Sequence, residues 1–354
     1  MRAKMLTIQK RARVFPATAF ILFLTALLAG CIVLATATGA VQIPYALVTK
    51  ILLNRLPLVE FSGWEKAQEI IIMTIRLPRV LLAVLVGGGL AITGATLQAL
   101  FRNPMADPGV IGISSGAALA AVIALSSGMA LRHYMILPFS AFLGALGTLF
   151  LVYSLATRQG RTPMATFLLS GIAIGIFMGS ILSLILTRVS SIEAFREIFF
   201  WLMGGLDGRG WSHLKIASWP ILIGSLTLIF FSRDLNLLML EGEGGSAALG
   251  MEVKTVQRAL LALTSLVIGT AVAFSGTVPF VGLIVPHIVR LMIGPDHRYL
   301  MFASFLAGAS LLVGADLMAR TVVAPEELPL GTVTSLIGVP FFLYLLNRDR
   351  GNSL

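Results

Sequence analysis

Residues 17–39, ATAFILFLTALLAGCIVLATATG, contain no charged side chain. A helix of that length rises about 35 Å, enough to cross the roughly 30 Å hydrocarbon layer of a bilayer. Nine more apolar stretches follow at about 79–100, 109–128, 136–156, 165–187, 213–232, 257–274, 280–293, 300–319 and 331–347. Hydrocarbon offers no water to backbone N–H and C=O groups, so only helices or a closed barrel can span it. A barrel strand needs about ten residues of alternating hydrophobicity, and no such alternation occurs. The expected fold is all-α: a polytopic bundle of about ten transmembrane helices with both termini cytoplasmic. Only 12% of the 354 residues are charged and 57% are hydrophobic, against roughly 25% charged in soluble domains. No sizeable soluble domain fits beside the spans.

Twenty-six Lys and Arg against 16 Asp and Glu give a net charge of +10. In a soluble chain that balance points to nucleic acid, but no basic run here is interleaved with the aromatics of a single-strand binder, so nucleic acid is not an expected partner. The lipid bilayer is. Arg2, Lys4, Lys10, Arg11 and Arg13 hold the segment 1–16 in the cytoplasm, and an even number of spans returns Arg348 and Arg350, in 348–354, to the same side. Summed over this topology the bias is weak, 15 basic residues inside and 11 outside, so orientation rests on the termini. Leu27-Leu28-Ala29-Gly30-Cys31 resembles a lipoprotein cleavage box, but the apolar run continues past it and reads as an uncleaved span. The single cysteine excludes an intramolecular disulfide, a Cys-based zinc site and an iron–sulfur cluster. His133, His213, His287 and His297 show no HExxH spacing. Neither a resident metal nor catalysis by this chain is expected.

Two outer segments are too polar or broken to span. Residues 40–75 carry Lys50, Arg55, Glu60, Glu65, Lys66 and Glu69 and suit a loop with short interfacial helices. Residues 188–212 mix Glu193, Arg196, Glu197 and Asp207 with Phe199, Phe200 and Trp201, and Met203-Gly204-Gly205 should break any helix there. Within the spans, Gly87-Gly88-Gly89 with Gly94, and Gly171, Gly175 and Gly179 at four-residue spacing, make small faces where helix backbones approach closely. The second set also suits an interface that opens and closes. Pro220, Pro279, Pro286 and Pro340 free backbone carbonyls and favour packed or cavity-lining positions.

Longer strings go beyond composition. Residues 76–116 read RLPRVLLAVLVGGGLAITGATLQALFRNPMADPGVIGISSG and 275–298 read SGTVPFVGLIVPHIVRLMIGPDHR; ADLMAR at 315–320, ELPLGTVT at 327–334 and GVPFF at 338–342 follow in order. The chain thereby resembles, from Ile75 to its end, the permeases of ATP-binding-cassette importers for iron–siderophore complexes, haem and cobalamin. The resemblance implies ten transmembrane helices in a single permease domain, here 17–347. It also implies a second permease subunit, identical or paralogous, two cytoplasmic ATPase subunits that bind ATP and Mg, and a substrate-binding protein. No cofactor is implied on this chain.

Arg76 and Arg79 flank Leu77-Pro78 at the expected outer edge of the second span, where their guanidinium groups are free to snorkel into water. The resemblance makes them, with Arg320 of the ADxxAR motif, docking points for acidic residues of the binding protein, a task that suits the planar guanidinium fork. Asp316, one helical turn before Arg320, reads as its orienting partner. Glu326 and Glu327 precede the last helix, whose N-terminal dipole end favours acids. Asn103-Pro104 and Asp107-Pro108 mark a tight cytoplasmic turn.

The longest cytoplasmic loop, 233–254, is the expected ATPase coupling element, with Leu235, Leu238, Glu241, Gly242, Glu243, Ala247, Leu249 and Gly250 as its contact residues. It reads as two short helices broken at Gly242 and Gly244-Gly245, and EGEGG carries more glycine than the single GE of the resembled family. The loop 157–165 corresponds by resemblance to the cytoplasmic gate. Thr162, Pro163, Met164 and Ala165 stand at its tip, and paired methionines would seal by apolar contact. With Gly171, Gly175 and Gly179 these form the expected translocation path. His287 and His297, beside helix breaks, read as hydrogen-bonded structural groups.

The expected activity is translocation by alternating access, most readily of an iron–siderophore complex, with haem and cobalamin as alternatives. No Walker A string GxxxxGK[ST] occurs, so ATP hydrolysis belongs to a separate subunit. A secondary transporter would need ionisable groups at mid-span, and an intramembrane enzyme would need paired carboxylates or a Ser/His constellation. Mid-span charges are scarce, most falling at span ends, so ion-gradient-driven transport stays as a further alternative, while no such enzymatic constellation is found.

Overall fold

The computed structural model describes residues 15–39, 41–55, 61–157 and 163–350. Among the described residues every regular element is helical. In chain order they are α1 (Ala17–Ala37), α2 (Tyr45–Leu53), α3 (Lys66–Leu100), α4 (Ile113–Ser126), α5 (Ile136–Ala156), α6 (Met164–Leu186), α7 (Ile192–Met203), α8 (Trp211–Phe230), α9 (Ser232–Ala248), α10 (Val253–Ser275), α11 (Val281–Ile293), α12 (His297–Thr321) and α13 (Leu330–Arg350). Each of the ten apolar stretches contains a helix, though that of 109–128 is only Ile113–Ser126, starting after the left-handed Gly112. Among the described residues seven of these, α1, α3, α5, α6, α8, α10 and α12, are long and apolar enough to cross a membrane, while α4, α11 and the Leu330–Tyr344 part of α13 are shorter. The basic cluster Arg2 to Arg13 lies outside the described residues.

The bundle is built around α3, which packs against α8, α10, α11 and α12 and is buried from Val86 to Leu100 without interruption. A helix that is apolar all round belongs inside, and its glycines explain how close its neighbours come. A Cβ on Gly87 would collide with the carbonyl of Gly308 on α12, and one on Gly94 with that of Gly282 on α11. The outer helices behave oppositely. Phe150, Leu169, Ile176, Leu226 and Phe230 point away from the bundle and are exposed, forming an apolar surface that belongs in lipid or against another subunit.

Three sequence expectations change. The second spanning helix begins at Lys66, not at 79, and so takes over the end of the outer segment 40–75. The Gln68 side chain accepts from the Glu65 N–H at 3.2 Å and starts the helix. The helix then passes through a π turn, Ile71–Arg76, just before Pro78. Proline removes a backbone donor, and a widened turn is how a helix absorbs that loss without ending. The remainder of 40–75 behaves as expected where described: α2 lays Val48 and Ile51 into a small cluster with Ala37, Ile43 and Ile72.

The second change concerns 233–254, where the helices and the break at Gly242 are present as expected but the break at Gly244-Gly245 is not. One break occurs, at Gly242, where φ is 69°. Gly244 and Gly245 stay helical, and the Glu241 stem lies over Gly245 across the kink. The third is the position of Arg76 and Arg79, which the earlier helix start carries into the helix interior. Between α6 and α8, the break expected at Met203-Gly204-Gly205 is present: α7 stops at Gly204, which adopts φ 77°.

Candidate docking, coupling and translocation sites

Arg76 and Arg79 on α3 meet Arg320 of α12, distant in sequence, at the end of the bundle expected to face outward. Arg79 on α3 donates through Nε to Asp316 Oδ1 on α12 at 3.0 Å, and its two Nη atoms grip Glu327 at 3.1 and 2.8 Å. Arg320 donates through Nε to the other oxygen of Asp316 at 3.0 Å and through Nη2 to the carbonyl of Ala35 at 3.0 Å. Arg76 reaches the carbonyls of Thr36, Ala37 and Val41 at 3.0, 2.7 and 2.5 Å. The C-terminal carbonyls of α1 have no intrahelical donor and carry the negative end of its dipole, so two guanidinium groups cap that end. Asp316, 1% exposed, is the orienting partner expected for Arg320 and serves Arg79 as well.

The outward snorkelling expected of Arg76 and Arg79 is not what the structure has. Arg76 is 7% exposed, and all three guanidinium groups are bonded within the chain. What faces water is the rim of a cavity of about 560 Å³ lined by Arg79, Arg196, Asp207, Arg209, Asp316 and Glu327 among others. Asp207 stands out into solvent 3.8 Å from Arg79. Burial lowers the pKa of the Arg209 guanidinium, against the pull of Asp207.

At the opposite end, α9 divides its residues between two roles. Leu235 and Leu238 are buried in the core, and Gly242 lies beneath the Arg102 guanidinium. Glu241, Glu243, Ala247, Leu249 and Gly250 are exposed along the surface at and beyond the kink. Glu243 accepts from Gln257 on α10 at 3.0 Å. The expected turn after α3 is present: Asn103 Oδ1 accepts from the Met105 N–H at 2.9 Å and Asp107 Oδ1 from the Gly109 N–H at 2.8 Å, each carboxyl or amide closing a turn on its own backbone. His297 is fully buried and bonded to Asn236, as expected of a structural histidine.

The gate residues are only partly placed. Thr162 lies outside the described residues. Pro163 precedes α6, Met164 packs half-buried against the core, and Ala165 is exposed. Gly171 is seated against the backbone of Ile111, Gly175 lies beside Gly112 and Ser115, and Gly179 has open space before it. Two of the three small positions therefore serve packing within the chain. A further feature was not read from sequence: a cleft of about 530 Å³ beside α13, lined by Thr277, Pro279, Thr332, Ser335, Val339 and Pro340 among others. GVPFF and the 275–279 string supply its walls, but nothing in their composition brings them together.

Residues 26–348 match the FecCD transport family. The chain belongs to that family. It is 46% identical over 290 residues to the cobalamin import system permease protein BtuC of Halobacterium salinarum, covering 81% of this chain and 76% of that one. It is 44% identical over 284 residues to the hemin transport system permease protein HmuU of Yersinia pestis, covering 78% and 83%. It is 38% identical over 337 residues to the Fe(3+) dicitrate transport system permease protein FecD of Escherichia coli, covering 94% and 99%. A solved structure of an inward-facing metal-chelate type ABC transporter superposes with a TM-score of 0.82 at 30% identity, covering 94% of this chain and 99% of that one. This FecCD protein is thus a multi-pass permease subunit of the cytoplasmic membrane, of the importer class whose ATPase is a separate subunit.

Proposed function

We propose that this FecCD permease moves a preformed metal chelate inward by alternating access, with an iron–siderophore complex as the first candidate and haem and cobalamin as the alternatives. The observation that carries the reading is the family match over 26–348 together with relatives named for cobalamin, hemin and ferric dicitrate, all of them metals enclosed in organic ligands. A second permease subunit, identical or paralogous, covers the apolar face of α6. One ATPase subunit seats on the exposed segment from Glu241 to Gly250, at and just beyond the end of α9, the second on the corresponding segment of the other permease, and together they power the change of access from outside this chain. A substrate-binding protein docks over the Arg76, Arg79 and Arg320 cluster. Because Glu327 already occupies Arg79, a docking carboxylate competes with it, and Arg196 and Asp207 on the rim make the first contact.

The test is uptake in proteoliposomes holding the permease with its ATPases and binding protein. ATP should drive accumulation of one of labelled ferric siderophore, hemin or cyanocobalamin, and a proton gradient without ATP should not. Accumulation driven by the gradient alone would assign the chain to secondary transport instead.

A further inference from the structure

Asn236 lies on the first half of α9 between the buried Leu235 and Leu238 positions, and its side-chain amide is used on both sides. Nδ2 donates to Asp296 Oδ1 at 2.9 Å. Oδ1 accepts from the backbone N–H of His297 at 2.9 Å and faces His297 Nδ1 at 2.8 Å. The chemistry fixes the orientation: a carboxylate only accepts and a backbone N–H only donates, so the amide cannot be reversed and Nδ1 carries the imidazole proton. Asp296 is itself the N-cap of α12, accepting from the Arg298 N–H at 3.1 Å. One amide on α9 therefore holds the first turn of α12 by three bonds.

Two further observations give this clamp a direction. On α9 the exposed surface proposed to meet the ATPase begins at Glu241, beside the Gly242 kink and about 1.4 turns past Asn236. On α12, an uninterrupted helix of 25 residues and about 37 Å, the far end is Asp316 and Arg320, which bind Arg79 and the carbonyls ending α1. A single rigid element thus joins α9 at one face of the membrane to the arginine cluster at the other.

We propose that Asn236 is a positioning residue for transport coupling: it makes the start of α12 move with α9, so that displacement of α9 by an ATPase reaches the outer arginine cluster through α12. The inference rests on the reading of the chain as an ATP-driven permease.

The test uses the complete reconstituted complex and reads probe transported per ATP hydrolysed, with labelled cyanocobalamin, hemin and a ferric siderophore as probes. Asn236→Asp sets a carboxylate against Asp296 and should lower that ratio by about tenfold. The double swap Asn236→Asp with Asp296→Asn restores a donor–acceptor pair between the two helices: Asn at 296 donates to Asp at 236, whose carboxylate leaves both His297 donors an acceptor, while the Arg298 N–H, which shares Asp296 Oδ1 with Asn236 in the wild type, gives up its cap bond. It should recover the wild-type ratio within about twofold. A wild-type ratio in Asn236→Asp, or a swap that assembles normally without recovery, overturns the proposal. A purely structural role would lower complex yield and leave the ratio unchanged. If the wild-type complex shows no ATP-driven uptake, the functional reading fails. The clamp is then judged by hydrogen exchange of the 297–300 amides, which accelerates in Asn236→Ala if the clamp holds the helix start and matches wild type if it does not.

Discussion

Asp316 on α12 receives Arg79 from α3 at 2.9 Å, across 237 positions of sequence, while its other oxygen holds Arg320 at 3.0 Å. One carboxylate, 1% exposed, thus neutralises part of the charge of two arginines whose side chains are 12% and 7% exposed. Removing one partner of a buried ionic group leaves the others uncompensated, at a cost of about 3–5 kcal/mol. Asp316→Ala should therefore lower the thermal midpoint of the purified permease sharply and reduce its yield in detergent. Asp316→Asn, which keeps acceptor capacity for one guanidinium, should fall between the two.

Glu327 meets the same Arg79 through a two-pronged contact but is 40% exposed. Partly hydrated pairs contribute at most about 1 kcal/mol and weaken with salt. Glu327→Gln should leave the thermal midpoint nearly unchanged. It should instead tighten binding-protein association, measured by surface capture at low ionic strength, because the internal competitor for Arg79 is gone. Unchanged association would show that Arg79 is a scaffold residue only.

The glycines separate into those that packing requires and those that it does not. A Cβ at Gly94 would overlap the Gly282 carbonyl, a backbone atom that cannot swing aside, whereas Gly179 faces open space. Gly94→Ala should destabilise by about 1–3 kcal/mol or more, as overpacking does, and Gly179→Ala should leave the isolated subunit's thermal midpoint within about 1 °C, as surface changes do. A loss of paired permease in cross-linking of Gly179→Leu, with the subunit's midpoint intact, would place that position at the subunit contact.

Much of this was legible in the sequence, for a physical reason. Hydrocarbon imposes long uncharged runs, so all ten apolar stretches announce themselves, and the breaks at Gly204 and Gly242 follow from a left-handed backbone that glycine alone adopts readily. The start of α3 was not legible. Lys66, Glu69, Arg76 and Arg79 look like the end of a water-filled loop until Asp316, Glu327 and the α1 carbonyls are seen to satisfy the arginines. Such partners lie on other helices, and local pattern cannot pair them. For the same reason Asn236, one polar residue among leucines, carried no message until Asp296 was beside it. His297, singled out as hydrogen-bonded, lacked only its partner.

Asp296 also sets a pH dependence. Burial alone would raise its pKa, but the bonds from Asn236 and the Arg298 N–H, with the nearby Arg298 and His297 charges, hold it below the ordinary carboxylate value. A depressed carboxylate contributes stability that is complete above its unfolded pKa of about 4 and is lost as pH falls through the lower folded value. The difference in thermal midpoint between wild type and Asp296→Ala should be constant above about pH 5 and shrink below about pH 4. A difference that grows on acidification would contradict the depressed value.

The exposed and buried parts of α9 should respond differently to truncation. Leu249, which caps the C-terminal end of α9, is 64% exposed, whereas Leu235 is fully buried. Burying a leucine side chain is worth about 1.5–3 kcal/mol and deleting one from a packed site about 2–5 kcal/mol. Leu235→Ala should therefore destabilise the permease by an amount in that range, with any effect on ATPase binding following from the lost fold. Leu249→Ala should leave the thermal midpoint unchanged and still lower the ATPase retained on affinity-purified permease, because an exposed leucine at a helix end matters only to what covers it. Equal retention of ATPase by wild type and Leu249→Ala would move the coupling contact away from the second half of α9, toward Glu241 and the Arg102 turn at the kink itself.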